Sequence, residues 1–132
     1  MSKFETINNN MFPEPIGAYS NGLIIPIADK NIILLTGQIA LRPDGSVAYY
    51  NDAGAQTEFI FSNIRVLLNE AGADICDIVR VVIYVTDMKD FKLVSPVRNK
   101  YLKDTKPVST LVEVSKLSVD GCKVEIEVTA IK

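Results

Sequence analysis

The apolar positions of the chain fall into short runs joined by turn-forming residues. Residues 23–27 and 32–35 are two such runs, and the polar segment between them contains Asp29 and Asn31, which favour turn conformations. This pattern predicts a β-hairpin. The stretch before it contains three consecutive asparagines and two prolines, so we expect a loop there.

Residues 52–71 change to a helical spacing. Asp52 can cap the first N–H groups of the helix, and Gly72 can close its other end. Gln56 is among the polar residues predicted to lie largely off the apolar face. That face is formed by Ala55, Phe59, Ile60, Ile64, Leu67, Leu68 and Ala71.

The segment 77–86 is β-branched nearly throughout, which predicts a central strand covered on both faces. Ser95 and Pro96 resemble a helix cap followed by proline at the first helical position, so a second helix is expected at 96–102. Residues 88–94 would then form a turn or a short 3₁₀ segment.

Two further strands are predicted at the end of the chain, at residues 109–114 and 123–131. The last alternates apolar and polar side chains with a period of two, as a half-buried strand does. The predicted order is ββ-α-β-α-ββ. It indicates an α+β protein with a single mixed β-sheet and two helices packed on one face, in a single domain spanning residues 1–132.

The amino-acid composition excludes several classes of catalytic and binding site. The 132 residues carry a net charge of −2 and include no histidine, which excludes histidine acid–base relays, Ser-His-Asp triads and His-metal sites. Nucleic-acid binding is disfavoured because the basic residues form no concentrated stripe. Cys76 and Cys122 lie outside any metal-binding spacing, and no apolar run could span a bilayer. We therefore expect a cytoplasmic protein without metal or membrane association.

Six segments, in order along the chain, resemble the motifs of one known family. They are Ile-Gly-Ala-Tyr-Ser at 16–20, Thr-Gly-Gln-Ile at 36–39, the helix from Gln56 through Leu68 to Ala-Gly-Ala at 71–73, Asp-Ile-Val at 77–79, Tyr-Val-Thr-Asp-Met-Lys-Asp-Phe at 84–91 and Val-Glu-Ile-Glu at 124–127. Each motif is weak alone. Together, in register, they identify a resemblance to the Rid family, also called YjgF, of small deaminases.

This resemblance implies a homotrimer with a chorismate-mutase-like (YjgF-type) fold and a small-molecule cleft at each subunit interface. It also implies hydrolysis of 2-imino acids without a cofactor, in which an arginine binds the substrate carboxylate and a glutamate on the last strand positions water. Carried over to this chain, Glu125 and Tyr19 would be catalytic. The predicted substrate-binding residues are Thr36, Gly37, Ser95, Arg98, Ser109 and Leu111, the last through its backbone.

Several departures from the family pattern cluster at this cleft. Ser109 stands where the family has its arginine, Ser95 where it has asparagine, and Arg98 where it usually has tyrosine. The loop 102–107 is also shorter than usual. Serine offers one donor and no charge, so a 2-imino acid should bind far more weakly unless Arg98, Lys106 or a neighbouring subunit supplies a cation. The pattern favours a changed ligand.

Structural interpretations compete with the functional ones. Glu125 and Glu127 would project from the same face of a strand, which is also typical of a solvated sheet surface. Tyr19 could pack in a turn, and Gly37 could be a strand-end glycine. Three functions stay open: a cofactor-free hydrolase of reactive imines or enamines, a non-catalytic metabolite-binding trimer, and, with the least support, an endoribonuclease or translation inhibitor.

Overall fold

The computed structural model describes residues 4–132. Its strands are β1 (Glu5–Ile7), β2 (Gly22–Ile27), β3 (Lys30–Leu35), β4 (Ile78–Val85), β5 (Val108–Glu113) and β6 (Val124–Ile131). Its helices are α1 (Ala53–Glu70) and α2 (Phe91–Leu102), and 3₁₀ turns at Ile75–Asp77 and Met88–Asp90 precede β4 and α2.

The strands form one mixed sheet in the order β1-β2-β3-β6-β4-β5. Only β4 and β5 pair in parallel, and the other neighbours are antiparallel. Both helices pack on one face, where every second side chain of β6, from Val124 to Ala130, is buried. The predicted mixed sheet with two helices on one face is therefore confirmed. Neither helix of residues 4–132 is long and apolar enough to cross a membrane.

Helix α1 begins and ends as its sequence indicates, but the polar residue Gln56 lies on the buried side of the helix. Asp52 accepts a hydrogen bond from Ala55 N at 3.0 Å, and Gly72 takes φ +78° just beyond the end. The prediction that Gln56 lies off the apolar face is wrong, because this side chain is fully buried. The loop at 48–51 and the segment at 121–123 pack over the start of α1, and the Gln56 side chain forms hydrogen bonds with both.

Gln56 joins two loops that the sheet does not connect. Its Nε2 donates to the carbonyls of Gly121 at 2.7 Å and Tyr49 at 3.0 Å, and its Oε1 accepts from Lys123 N at 2.8 Å. Buried backbone groups such as these require a partner. The amide therefore holds the loop at 48–51 against the segment that leads into β6.

Replacing Gln56 with leucine should destabilise the fold strongly. The substitution leaves the Lys123 N–H without its partner, while the Gly121 and Tyr49 carbonyls each lose one hydrogen bond and keep a second from a backbone N–H, so we expect the free energy of unfolding to fall by about 2 kcal/mol. Urea unfolding of both proteins measures this difference. The matched control is Asn69→Leu, the same change at an exposed position of α1. Equal transition midpoints for the two variants would contradict the role given to Gln56.

The predicted start of the second helix is wrong. α2 begins at Phe91, and Pro96 lies inside it. The Asp87 side chain accepts from Lys89 N at 2.9 Å and stabilises the 3₁₀ turn that leads directly into the helix. Pro96 removes only one helical hydrogen bond. Burial of Val94 before it on the core side favours the longer helix.

Two details near the N-terminus also differ from expectation. The loop predicted from the asparagines and prolines is present at residues 8–20, but the short edge strand β1, in which Glu5 pairs with Ile24 of β2, precedes it and was not predicted. The predicted hairpin is present, but its turn has only two residues, and Ala28 takes the positive φ of 56°. Asn31, expected in the turn, pairs with Pro26 because the register places it within β3.

The sheet face away from the helices is uncovered in a single chain. Val81, Ile83 and Val85 of β4 are buried under the helices, whereas Arg80 is exposed and Tyr84 only half-buried. The prediction that β4 is covered on both faces is therefore wrong for one chain. By strand register, the part of this open sheet face formed by β3 to β6 consists of Ile32, Leu34, Arg80, Val82, Tyr84, Val108, Thr110, Val112, Glu125, Glu127, Thr129 and Ile131.

Candidate active site

Two cavities contain most of the predicted site residues. The Glu125 pocket has a volume of about 290 Å³ and is lined by Phe12, Pro13, Glu14, Pro15, Ile16, Tyr19, Asn21, Thr36, Gly37, Gln38, Ile39, Leu41, Ser118, Val119 and Glu125. The Ser109 pocket has a volume of about 430 Å³ and is lined by Arg98, Asn99, Leu102, Lys103, Lys106, Pro107 and Ser109.

Glu125 and Gly37 form the closest approach in the Glu125 pocket. A Cβ atom on Gly37 would lie 2.5 Å from Glu125 Oε2, so any other residue there would displace the carboxylate from its position against the backbone. The Gly37 N–H has no backbone acceptor within residues 4–132. The neighbouring Thr36 hydroxyl donates to the Ser20 carbonyl, which leaves its oxygen as an acceptor at the pocket.

Burial raises the pKa of Glu125, and the negative charge of Glu127 raises it further. Among the described residues no hydrogen bond offsets this effect. Glu127 itself accepts a hydrogen bond from the Tyr84 hydroxyl at 2.5 Å, an interaction that also raises the pKa of Tyr84. A carboxyl group with a raised pKa can exchange protons with a bound water closer to neutral pH, as a general base requires.

The raised pKa of Glu125 predicts a specific pH dependence of stability. Just above the ordinary glutamate pKa, the folded state still holds the Glu125 proton while the unfolded chain has lost it, so the free energy of unfolding falls as pH rises. Glu125→Gln removes this fall. We expect the variant to gain stability relative to the wild type as pH rises above the ordinary glutamate pKa of about 4.3, measured by urea unfolding at each pH. A difference independent of pH would contradict the assigned environment.

Tyr19 enters the Glu125 pocket from the N-terminal loop. Its backbone N donates to the Gly17 carbonyl at 2.9 Å, and its ring lies against Gly17, where an added Cβ would be 3.1 Å from the ring edge. The side chain is 52% exposed in one chain. Tyr19 is therefore both a turn residue and a residue whose ring is accessible at the pocket.

The Ser109 pocket lies between the end of α2 and the start of β5. Arg98 Nη2 donates to Ser95 Oγ at 3.1 Å, and its Nε donates to Asn99 Oδ1 at 3.1 Å. Ser109 pairs with Val81 near the start of the edge strand and is exposed. The structure thus gathers Ser95, Arg98 and Ser109, while the Leu111 side chain packs against the core.

A single chain does not bring these two groups of residues together. Glu125 pairs with Tyr84 on the open sheet face, whereas Ser109 pairs with Val81, whose side chain is buried under the helices. They lie two strands and three residues apart, which ideal sheet spacing converts to roughly 14 Å. One small substrate could not reach both from within the same chain.

Sequence reasoning missed several lining residues. Glu14 adds a second carboxylate to the Glu125 pocket, and Ser118 reaches it from the loop before β6. Lys103 joins Lys106 at the Ser109 pocket. No local motif marks Ser118 or Lys103. By contrast, the 36–39 motif pointed to Gln38, which is nearly buried and donates to the Thr36 carbonyl at 2.8 Å.

The chain offers little support for a metal or a cysteine nucleophile. Within residues 4–132, no group of three or more Cys, Asp or Glu side chains is placed to hold a metal ion. Cys76 is exposed and Cys122 is buried, and neither forms a disulfide. Burial raises the pKa of Cys122, which disfavours the reactive thiolate.

Comparison with known proteins agrees with this architecture. The sequence profile of the endoribonuclease L-PSP family matches residues 10–132. A RutC family protein of Pyrococcus abyssi is 35% identical over 128 residues, covering 97% of both chains. Reactive Intermediate Deaminase A of Arabidopsis thaliana, a chloroplastic protein, is 29% identical, covering 97% of this chain and 66% of its own length.

Solved structures show the same fold. A Rid family protein of Yersinia pestis, YyfA, superimposes with a TM-score of 0.84 at 33% identity, covering 96% of this chain and 98% of its own. RidA from an Antarctic Psychrobacter superimposes with a TM-score of 0.81 at 27% identity, covering 96% and 98%. The chain belongs to the endoribonuclease L-PSP family, also known as the Rid or YjgF family. The predicted family and YjgF-type fold are therefore confirmed.

Proposed function

We propose that this protein hydrolyses small reactive imines or enamines without a cofactor, in clefts formed between the subunits of a homotrimer. The observation that carries this proposal is the Glu125 carboxyl group, which has a raised pKa and lies against the Gly37 backbone. The name of the Arabidopsis relative, a reactive intermediate deaminase, supports the same reaction class.

The proposed mechanism uses water as the nucleophile. Glu125 accepts a proton from a bound water while the water oxygen attacks the imine carbon, and the imine nitrogen takes up a proton from solvent or a nearby acid. The proton on Glu125 then passes to the amino nitrogen of the resulting carbinolamine, the C–N bond breaks to release ammonia, and the hydroxyl group loses its proton to solvent as the C=O bond of the keto product forms. In this mechanism the Gly37 N–H and the Tyr19 hydroxyl would orient polar substrate atoms and so contribute through positioning.

Trimer formation would solve two problems of the single chain. The open sheet face has exposed apolar side chains, including Leu34 at 39% and Ile131 at 42% exposure, and a second chain would cover them. A cyclic interface joins different surfaces of two copies, and we propose that around this threefold axis the Glu125 pocket of one chain lies beside the Ser109 pocket of the next. We further propose a cytoplasmic location, for which two free thiols are suitable.

Turnover of imines tests the proposed hydrolysis. The purified protein is mixed with imines generated from 2-aminoacrylate and with imines that carry additional charged groups, and release of ammonia and the keto product is followed. We expect hydrolysis faster than in buffer for at least one of these imines. A rate equal to that in buffer for all of them would overturn the proposal.

A metabolite-binding trimer without catalysis is the second candidate. The observation favouring it is Ser109, which leaves the cleft without the usual guanidinium while Tyr19, Gly37 and Glu125 are retained. A ligand that binds the folded state raises the apparent stability, so thermal-shift measurements with small acids, aldehydes and amides would detect it. A shift without any imine turnover would favour this function over hydrolysis.

A further inference from the structure

Basic side chains are concentrated at the Ser109 pocket. Arg98, Lys103 and Lys106 line it together with uncharged residues, and no carboxylate belongs to its lining. The chain as a whole has a net charge of −2, so this positive charge is local. A concave surface lined by one sign of charge attracts ligands of the opposite sign.

Arg98 is held in position but is not saturated. Its hydrogen bonds to Ser95 and Asn99 use two of the five guanidinium N–H groups and leave three available. None of Arg98, Lys103 and Lys106 forms a salt bridge within residues 4–132. An oriented guanidinium with free donors loses little conformational freedom when it binds an anion.

Lys106 has an unusual backbone conformation. Its φ is +47°, in the left-handed region that non-glycine residues rarely adopt, and the following Pro107 restricts it further. Its backbone N donates to the Leu102 carbonyl at 2.9 Å, which closes the loop onto the end of α2. Strain of this kind persists where the surrounding structure enforces it, and it is frequent in segments that hold ligands.

Helix capping alone does not account for so many cations. The C-terminus of α2 carries a partial negative charge of roughly half a unit, which one nearby lysine can compensate. Three full positive charges exceed this requirement. The remaining charge has no partner in the described part of the chain and is available to a ligand.

We propose that the Ser109 pocket binds a dianionic group of the substrate, either a phosphate or a pair of carboxylates, through Arg98, Lys103 and Lys106. This assignment rests on the function proposed above and specifies its substrate class. A single carboxylate is best held by one bidentate guanidinium, whereas cations on separate residues suit a group with more charge and more acceptor oxygens. The cavity of about 430 Å³ leaves room for such a group.

Binding of simple anions to the full-length protein tests this assignment. Isothermal titration at constant ionic strength and about pH 8 compares inorganic phosphate and malonate with acetate. We expect at least one dianion to bind about tenfold more tightly than acetate, and Arg98→Gln and Lys106→Gln each to weaken that binding about tenfold. Whether phosphate or malonate binds more tightly identifies the source of the charge. Lys92→Gln, the same charge change at an exposed position of α2 outside the pocket, should leave the dissociation constant unchanged.

The assignment is overturned if acetate binds as well as both dianions, or if neither variant weakens dianion binding. Lys106 is exposed, so Lys106→Gln provides a folded variant even if Arg98→Gln disturbs the helix. The test is separate from that of the proposed hydrolysis. Dianion binding that depends on Arg98, without imine turnover, would support the anion site and contradict the proposed hydrolysis. Imine turnover without such binding would support the hydrolysis and contradict a dianionic substrate.

Discussion

Glu125→Gln is expected to reduce kcat for imine hydrolysis by about 100-fold or more, because glutamine cannot accept a proton from the attacking water. The substitution preserves the size of the side chain beside Gly37, so substrate binding should change little and KM should stay similar. Steady-state kinetics on the best imine substrate measure both values. The prediction distinguishes a general base from a carboxylate that merely occupies the sheet surface.

Glu127→Gln is the matched control for this result. It makes the same change two residues along β6, where the carboxylate bonds to Tyr84. Removing the Glu127 charge should lower the pKa of Glu125 and move the acidic limb of the kcat profile to lower pH, with a change in the maximum of less than about tenfold. A loss in Glu127→Gln as large as that in Glu125→Gln would contradict the assignment of Glu125 as the base.

Ser109→Arg should improve the KM for a monocarboxylate 2-imino acid by about 10-fold to 100-fold. An arginine offers two parallel, charge-assisted hydrogen bonds to a carboxylate, each worth about 1.5–3 kcal/mol when desolvated, whereas serine offers one neutral donor. Ser109 is exposed at an edge strand, so the larger side chain requires no rearrangement of the core. KM values for monocarboxylate imines before and after the substitution measure the gain.

Ser109→Gln separates charge from size in this experiment. Glutamine adds length and hydrogen-bond donors without a positive charge, and we expect it to leave KM within about threefold of the wild type. An arginine variant that behaves like the glutamine variant would show that position 109 does not contact the substrate carboxylate. Such a result would place the anion-binding part of the cleft elsewhere.

The sequence correctly predicted the helices and strands in which the spacing of apolar residues matches the face that is buried. Helix α1 and strand β6 have apolar spacings that match their environments, and the apolar sequence of β4 marks it as an interior strand, with β6 on one side and the edge strand β5 on the other. The start of α2 was predicted too late because proline is most often found in the first turn of a helix. In the structure, burial of Val94 favours helix before Pro96 as well as after it. Burial of Gln56 could not be predicted, because it depends on loops distant in the chain.

The candidate site was predictable only in part. Short motifs indicated Tyr19, Gly37 and Glu125, which the structure brings to one pocket, although their catalytic roles stay predictions. Ser109 was recognisable because it departs from a family pattern. Lys103 carries no such signal, since its position at the pocket depends on how the loop after α2 folds back towards β5.

Subunit complementation tests most directly whether each cleft combines the Glu125 pocket of one chain with the Ser109 pocket of another. Glu125→Gln chains are co-assembled in equal amounts with Ser109→Trp chains, in which the indole fills the second pocket, and native mass spectrometry verifies that mixed trimers have formed. Each variant alone should be nearly inactive. Random assembly of equal amounts makes about three quarters of the trimers mixed, and one of the three interfaces in each mixed trimer combines two intact halves, so we predict about a quarter of the wild-type rate for the whole population. Mixed trimers no more active than the separate variants would contradict the account.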